Sequence, residues 1–448
     1  MEVKPKRSTF RVRLEEMIST LRSDIMSGER TAGTFLPSEM DLAEKFQISK
    51  NSVRKGLETL ESEGLIEKIP RIGSCILGPT EKITLKFGYY PSLIMEADLN
   101  TLVDQFHNKF PNIELQLIPV SYHWSSPMLK NYIEQDNLDI VTVNIHNFEQ
   151  FLDENQQPQH LEALEPKEGV YPFLNEPFVR NGELFVQPFL FSPVILCYNK
   201  QHFREHNVPE PDSSWTWDTV KEMSLKLASG KDRYGFFFHI LSNNRWPIFF
   251  LQNGFQFRQH TEERKTASDN AALKESLETL SDLIDHVFPP FLSENDLDVE
   301  LLFLDQKVSM ILTSYFTLNL FKEAGFEYDI SPLPYLRTPK TLLVNIGLAV
   351  NKNSKHKEAA KTFIDFLLSY EVQQSIRQNT LSLPSLKRAA EWSGQEVMNS
   401  PSRYNIYRET FPTYAYHTDL NITYSDFQEK LQKLKLYLSK MVEWDVFV

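Results

Sequence analysis

The sequence predicts a multidomain protein in which a small α+β domain precedes a larger α/β unit. Three observations predict this class. The chain has 448 residues, more than one ordinary hydrophobic core accommodates. Residues 1–78 combine apolar helical periodicity with one hairpin signal, and after a short linker, 79–82, strand and helix patterns alternate through 83–448. We therefore expect a boundary near residue 80.

Charge divides the chain at the same place. Residues 1–78 carry 13 Lys and Arg against 12 Asp and Glu, whereas residues 79–448 carry 34 against 48. A polyanionic partner is therefore expected to meet the first block. Cys75 and Cys197 give no disulfide framework, the basic N-terminus has no apolar segment behind it, and no run of 18 apolar residues follows. These features predict a cytoplasmic protein with no membrane partner.

The first domain begins with three predicted helices. Apolar residues recur at helical spacing over 11–27, which predicts the first helix. Ser38, with an acidic residue three positions later, resembles a capping box and predicts a second helix over 38–46. Ser49 is the expected N-cap of the third helix, which Gly64 ends.

The third helix has one apolar face, formed by Val53, Leu57 and Leu60. Burial of this face leaves four side chains near the start of the helix exposed to solvent, namely Lys50, Asn51, Arg54 and Lys55. A short hairpin over 65–77 follows, with its tip at 70–73. This order of elements predicts a winged helix-turn-helix, whose third helix would enter a DNA major groove.

The larger unit alternates strands and helices. Strands are predicted at 83–90, 138–144, 191–199, 307–314 and 342–351, and helices at 96–110, 216–229, 270–286 and 356–369. A long C-terminal amphipathic helix is predicted from Phe427, Leu431, Leu434, Leu438 and Met441. The alternation is typical of α/β folds.

The first block resembles the GntR family of bacterial transcription regulators. The resemblance covers about 1–78 and rests on "LPSE" at 36–39, "DLAEKFQISKNSVRKGLETLESEGLIEK" after it, and the wing glycine. It implies that the start of the third helix reads bases and phosphates, with Arg54 matching the family's arginine directly. The DNA-binding residues that it implies are Ser38, Lys50, Asn51, Ser52, Arg54, Lys55, Arg71 and Gly73.

Two positions depart from the family's pattern. Met40 replaces an arginine that often follows the "LPSE" motif and touches DNA. The wing tip has Pro70-Arg71-Ile72 where Gln-Gly-Arg is more usual, so Arg71 is expected to supply the wing's charge.

The block from residue 83 resembles sugar-type extracellular solute-binding proteins, most clearly over 181–220. The resemblance implies a two-lobed α/β periplasmic-binding-protein-like domain that binds its ligand in the cleft and closes on it. Lobe one would comprise about 83–190 and 335–385, and lobe two about 195–332 and 386–448.

A sugar cleft needs aromatic planes for the rings and amides or hydroxyls for the hydroxyl groups. The candidates at predicted strand ends and loops are Tyr89, Tyr90, Trp124, Asn144, Trp246, Tyr315, Phe316 and Asn345. A second reading stays open for each of them. Most of the aromatic residues must form cores, and Asn144 could equally cap a strand end.

No metal, cofactor or catalytic motif is visible, so an enzyme is not expected. Two alternatives remain open. Some GntR relatives carry an aminotransferase-like domain that binds pyridoxal phosphate, although this chain lacks the Asn-Pro turn typical of that branch. The C-terminal unit could also be a ligand-free dimerisation domain.

The resemblances together imply a homodimer on a palindromic operator, with half-sites about 34–36 Å apart. A saccharide closing the cleft would lower operator affinity and relieve repression.

Overall fold

The structure is a computed structural model that describes residues 7–26, 29–77, 82–121, 126–135, 137–152, 155–230, 232–257, 267–288, 293–394 and 399–447. Within these ranges, no helix is long and apolar enough to cross a membrane. The expected linker is described only at its last residue, so its conformation stays a prediction.

The N-terminal domain has the predicted order of elements. They are α1 (Arg7–Met26), α2 (Glu39–Lys45), α3 (Lys50–Ser62), β1 (Ile66–Ile69) and β2 (Gly73–Ile76). The two strands pair antiparallel, with Ile66 opposite Ile76. Val53 and Leu60 on α3 are fully buried and hold the helix in the domain's core. Gly64, at φ +72, turns the chain out of α3, a conformation that side-chain-bearing residues rarely adopt. The winged helix-turn-helix is thereby confirmed.

The strands of the second unit are β3 (Ile83–Tyr89), β4 (Ile113–Pro119), β5 (Ile140–Asn144), β6 (Val179–Arg180), β7 (Glu183–Leu184), β8 (Gln187–Asn199), β9 (Tyr234–Phe237), β10 (Val308–Ser314), β11 (Tyr328–Ser331), β12 (Thr341–Val350), β13 (Leu383–Pro384) and β14 (Tyr414–Ala415).

Its helices are α4 (Leu93–Glu96), α5 (Leu99–Lys109), α6 (Ser126–Glu134), α7 (Ile145–Glu149), α8 (Pro172–Asn175), α9 (Lys200–Glu205), α10 (Trp217–Leu227), α11 (Trp246–Gln252), α12 (Ala267–His286), α13 (Asp296–Leu304), α14 (Lys357–Leu367), α15 (Tyr370–Asn379), α16 (Lys387–Ala390) and α17 (Tyr424–Leu438). Short 3₁₀ helices lie at Glu176–Phe178, Thr317–Phe321, Tyr404–Arg408, Phe411–Thr413, His417–Leu420 and Trp444–Phe447.

One sheet path runs through the unit in the order β4-β3-β5-β12-β8-β10-β9. Strand β3 is parallel to β4 and β5, and β9 is parallel to β10, whereas β12 and β8 pair antiparallel with their neighbours on this path. All 13 residues of β8 are buried. Gln187–Pro193 pair with β12, and Val194–Tyr198 pair with β10. Strand β8 therefore crosses between the two α/β lobes that the resemblance implies.

Two buried clusters form the cores of these lobes. The first includes Phe87, Phe106 and Phe363, and it continues into the core of the N-terminal domain. The second is built on β9, β10, β11 and the helices around them. Val170–Leu174 and Leu381–Leu383, which the sequence prediction assigns to lobe one, contribute side chains to the second cluster.

Two local expectations differ from the structure. The helix predicted over 96–110 begins only at Leu99, because Asp98 adopts a left-handed conformation at φ +54 and separates α5 from the short α4 before it. The C-terminal helix ends at Leu438, so Met441 lies beyond it and is 72% exposed instead of packing on the apolar face.

Candidate nucleic-acid interface and ligand cleft

The exposed start of α3 is fixed by its N-cap. The Ser49 hydroxyl accepts a hydrogen bond from the Ser52 backbone N–H at 3.1 Å, and the two hydroxyl oxygens lie 3.0 Å apart. Ser52 is half-buried, and both its N–H and its hydroxyl take part in this cap. The side chains exposed on this part of the helix are Lys50, Asn51, Arg54 and Lys55. This arrangement presents three cations and one amide on a single helical surface, as DNA reading requires.

Arg54 does not project freely from this surface. Its Nε donates to both carboxylate oxygens of Glu39 on α2, at 2.9 and 3.1 Å. The two side chains are 57% and 36% exposed. An ion pair this accessible to water contributes little to stability, so its main effect is to orient the guanidinium. A phosphate or base that accepts from the Nε of Arg54 would have to displace Glu39, whereas the guanidinium also has donors on its two Nη atoms.

The start of α2 is held by a capping box. The Ser38 hydroxyl accepts from the Asp41 N–H, and the Ser38 N–H donates to the Asp41 carboxylate, both at 3.2 Å. Ser38 is exposed, and its hydroxyl also donates to Asp41 at 2.8 Å. Met40 is 63% exposed and offers no charge where the family often has arginine.

The wing turns at Arg71 and Gly73. Arg71 is exposed and has φ +68, and Gly73 has φ +144, which side-chain-bearing residues rarely adopt. The Ile72 N–H donates to the Ile69 carbonyl at 3.1 Å and closes the turn. Gly73 therefore shapes the wing, and Arg71 is the charged residue at its tip.

In lobe one, Tyr90 and Asn144 are engaged with α7. The Tyr90 hydroxyl donates to the Asn147 side chain and accepts from the Asn144 N–H at 3.1 Å. Burial raises the pKa of Tyr90. The Asn144 side chain caps α7 by accepting from the Asn147 N–H at 2.7 Å. The neighbouring Tyr89 is half-buried. Tyr90 is fully buried and offers no face to a solute in this conformation.

Tyr315, Phe316 and Asn345 lie where the lobes meet. The Tyr315 hydroxyl donates to the Tyr404 carbonyl at 2.7 Å, and burial raises the pKa of Tyr315 well above its usual value. Phe316 is 6% exposed and packs in the core of the other lobe. The Asn345 amide donates to the Leu174 carbonyl at 2.8 Å. Tyr315 and Tyr404 belong to the same buried cluster, so their bond stays within lobe two, whereas Phe316 of lobe two packs in the cluster of lobe one. Trp124 lies outside the described residues, so its place in the site stays a prediction.

Trp246 begins α11 and faces the C-terminal helix. Its ring centroid lies 4.8 Å from that of Phe427 on α17, with an interplanar angle of 32°. Trp246 is fully buried, and its indole N–H has no hydrogen-bond partner among the described residues. A buried N–H without a partner costs free energy that a ligand oxygen could recover.

A small cavity separates α7 of lobe one from the C-terminal segment. Its volume is about 10 Å³, and the residues lining it are Ile145, His146, Glu149, His417, Thr418, Ile422, Thr423 and Phe427. That volume holds about one water molecule and excludes a sugar ring. His417 bonds through Nε2 to the Asn243 carbonyl at 2.8 Å, and burial lowers the pKa of this histidine.

The sequence reasoning missed His146, His417 and Phe427 as residues of this site. Phe427 belongs to an apolar helical stripe, which indicates core packing equally well. The two histidine rings lie 5.5 Å apart but come from distant parts of the chain. The one available signal was that His146 follows Asn144 closely at the end of a strand.

Lobe two also buries a carboxyl group. Glu300 on α13 is 2% exposed and accepts from the Thr313 hydroxyl at 3.1 Å. Burial, with the nearby charge of Asp296, raises the pKa of Glu300 to about 8. Arg245, which precedes Trp246, is 3% exposed, and its Nε lies 3.8 Å from Asp296 Oδ1. The described residues contain no His, Cys, Asp and Glu group suited to a metal.

Two family models match the chain. The model described as bacterial regulatory proteins of the gntR family matches residues 14–76. The model described as bacterial extracellular solute-binding protein matches residues 92–374. Both resemblances drawn from the sequence are confirmed, and the second replaces the alternative of an aminotransferase-like C-terminal domain.

Curated relatives fall on the same two units. The HTH-type transcriptional regulator YieP of Escherichia coli (strain K12) is 30% identical over 86 residues, covering 19% of this chain and 37% of that protein. The galactooligosaccharide-binding protein of Bacillus subtilis (strain 168) is 25% identical over 224 residues, covering 46% and 51%. The chain thus spans about half or less of the length of these relatives.

Solved structures share the fold of the second unit. An ABC substrate-binding protein from Listeria monocytogenes in complex with cycloalternan has a TM-score of 0.69 at 18% identity, covering 82% of this chain and 96% of that one. Maltose-bound MalE3 of T. maritima has a TM-score of 0.66 at 17% identity, covering 82% and 97%. At this identity the likeness shows the fold alone.

Proposed function

Because this chain belongs to the family of bacterial extracellular solute-binding proteins and carries a GntR-family domain ahead of that unit, we propose that it is a ligand-responsive transcription regulator. The observation that carries the proposal is the exposed start of α3, with Lys50, Arg54 and Lys55 facing solvent, on the same chain as a two-lobed unit. One part offers cations to DNA, and the other has the two-lobed fold of solute-binding proteins. A cytoplasmic location follows from the DNA partner.

The proposed DNA target is a palindromic operator bound by a homodimer. Each α3 would lie in a major groove, and phosphate contacts by lysines would supply most of the salt-sensitive affinity. Arg54 is the residue best placed for base readout, since a guanidinium can donate two bonds to one guanine. Arg71 would add a contact from the wing.

The proposed effector is a saccharide. Relatives of similar fold are described as binding galactooligosaccharide, cycloalternan and maltose. Trp246 supplies an aromatic plane and an indole N–H that has no partner in the described part of the chain, and a sugar could use both. Tyr89, Trp124, Phe316 and Asn345 remain further candidates.

Ligand entry requires a change in conformation. The cavity between α7 and the C-terminal segment is too small for a sugar, and Phe427 covers Trp246. A saccharide would therefore displace Phe427 or part the lobes before it could reach the indole. We propose that this movement lowers operator affinity, so that the protein is a repressor released by its ligand.

A screen of thermal-unfolding midpoints tests the ligand half of the proposal. The full chain is heated with maltose, maltotriose, galactose and galactooligosaccharides, each over a concentration series. A saturable rise in the midpoint is expected for one class, because a ligand that binds only the folded state stabilises it by mass action. Operator fragments selected from genomic DNA test the other half, with Arg54→Ala as the variant expected to lose binding.

A second function has one observation in its favour. Tyr90, Trp246 and Tyr315 are fully buried, and two of them use their hydroxyls inside the protein. A solute-binding fold retained only for dimerisation would look the same. If no sugar shifts the midpoint while the chain is dimeric and binds an operator, this second function is supported.

A further inference from the structure

The N-terminal domain is joined to lobe one by a buried arginine. Arg22 on α1 is 8% exposed. Its Nη2 contacts Glu63 Oε1 at 2.6 Å and Glu358 Oε2 at 2.5 Å, while its Nε donates to Glu63 Oε2 at 2.9 Å. One guanidinium thus engages two carboxylates, from two different folded units.

The two carboxylates lie at the ends of helices in different units. Glu63 is the C-cap residue of α3, the helix proposed to read DNA. Glu358 lies in the first turn of α14, a helix of lobe one. The planar, rigid donor fork of arginine fixes the direction of each bond, which a lysine could not do. Arg22 therefore sets the end of α3 relative to α14.

We propose that Arg22 holds the winged domain on lobe one, so that α3 and lobe one move as one rigid body while lobe two moves against them. The role of this attachment in the response to ligand rests on the proposed function. The attachment itself does not, since it concerns only the contacts between α1 and α14.

Other contacts at the same surface support a rigid attachment. The Ser19 hydroxyl on α1 donates to Asp365 at the far end of α14, and Lys167 contacts Asp365 at 2.9 Å. On its other side α1 packs closely on α3, because a Cβ placed at Gly56 would lie 2.3 Å from Met17 Cε. Helix α1 is held between the DNA-reading helix and lobe one.

Packing continues from α14 to the cleft. The Phe363 ring lies 5.2 Å from Phe87 on β3 and 4.8 Å from Phe106 on α5. Tyr90, directly after β3, bonds Asn147 of α7, and the adjacent His146 lies 5.0 Å from Phe427. Lobe one thus connects Arg22 to the cleft wall through α14, the aromatic contacts of Phe363, and α7. If Phe427 and lobe two were displaced, they would move relative to the unit formed by lobe one and the winged domain.

Distances between spin labels in the full chain test the attachment directly. Labels at Glu58→Cys on α3 and Asp104→Cys on α5 measure the winged domain against lobe one, and both positions are exposed. Cys75→Ser removes the accessible native thiol, whereas Cys197 is fully buried, and burial raises its pKa, so it stays unlabelled. The expected result is one narrow distance distribution without DNA or sugar.

Variants at the interface should change this single narrow distribution of label-to-label distances. Glu358→Ala breaks the bond between the domains but leaves Arg22 paired with Glu63, and Ser19→Ala removes the second contact. Each is expected to broaden the distribution or add a second distance, and the double variant most of all. Glu222→Ala is the matched control, because Glu222 is an exposed carboxylate on α10 that pairs only with Lys226 among the described residues, and it should change nothing.

Two results would overturn the proposal. One is a broad distribution in the parent protein, and the other is a distribution unaltered in the folded double variant, with folding judged by circular dichroism. Since neither DNA nor sugar is present, failure here leaves the proposed function standing. Loss of operator binding or of sugar binding would likewise leave this result intact.

Discussion

Phe427 of the C-terminal helix lies 4.8 Å, ring centroid to ring centroid, from Trp246 at the start of α11. The same phenylalanine approaches His146 of lobe one at 5.0 Å and His417 at 5.6 Å. One side chain of α17 therefore contacts both sides of the cavity between the lobes. The C-terminal helix thus covers Trp246, the residue at which we propose that a saccharide binds.

Replacing Phe427 with Ala should uncover Trp246. The substitution removes a fully buried ring, so we expect a loss of about 3–5 kcal/mol in the free energy of unfolding. If the ring competes with ligand, maltotriose or a galactooligosaccharide should raise the unfolding midpoint of the variant at lower concentration than that of the parent. Phe447→Ala, at a second buried ring of lobe two, is the control for the destabilisation alone. Equal half-saturation in all three proteins would contradict competition.

Arg54 and Glu39 should have opposite effects on DNA binding. Arg54→Ala is expected to weaken operator binding by about 10–100-fold, since a good bidentate base contact contributes about 1–3 kcal/mol. Glu39→Gln releases Arg54 from its carboxylate and should tighten binding more than Glu44→Gln, which removes an exposed charge from the same helix. The measurement is fluorescence anisotropy with a labelled operator. Equal effects of the two glutamine variants would show that the Arg54–Glu39 pair has no influence on DNA binding.

Operator binding should weaken steeply as salt concentration rises, because bound lysines and arginines release counterions from phosphates. Lys55→Ala is expected to reduce the slope of log affinity against log salt by about 1. Lys352→Ala, at an exposed position in lobe one, should leave the slope unchanged. A flat salt dependence of the parent protein would contradict the DNA assignment as a whole.

Stability should fall as pH rises through a window set by two buried carboxyls. Burial raises the pKa of Glu300 to about 8 and that of Glu96 to about 7, from an ordinary value of 4.5. Between 4.5 and these values the folded state keeps the proton and the unfolded state loses it, so the free energy of unfolding decreases with pH. Each group contributes at most about 1.4 kcal/mol per pH unit.

Glu300→Gln tests this pH dependence. The amide matches the protonated carboxyl in shape, so denaturant unfolding from pH 5 to 9 should give a shallower pH dependence in the variant than in the parent. Glu294→Gln removes an exposed carboxylate just before α13 and should preserve the parent's slope. An unchanged slope in Glu300→Gln would mean that this carboxyl is ionised in the folded protein.

The winged domain could be predicted almost completely because its signals are local. The caps at Ser38 and Ser49 and the turn at Gly64 each act within a few residues, and the structure places helix ends where they predict. The sequence allows two roles for Asn144, a ligand contact or a cap at a strand end. The structure shows the cap, which also depends on a local hydrogen bond.

The cleft could not be predicted as completely as the winged domain, because contacts between residues far apart in sequence decide which aromatic faces are exposed. Tyr315 is directed inward by a bond to the Tyr404 carbonyl, 89 positions along the chain. Trp246 is covered by Phe427, which the sequence pattern alone places on a core-facing stripe. Such pairings depend on how the lobes meet, which no short segment encodes.

The most direct test of the account is the operator affinity of the full chain with and without a saturating sugar that raises its unfolding midpoint. The account predicts that the sugar weakens operator binding by about 5–150-fold, the range of ordinary coupling free energies. An operator affinity that is the same in the presence of bound sugar would contradict ligand-responsive regulation.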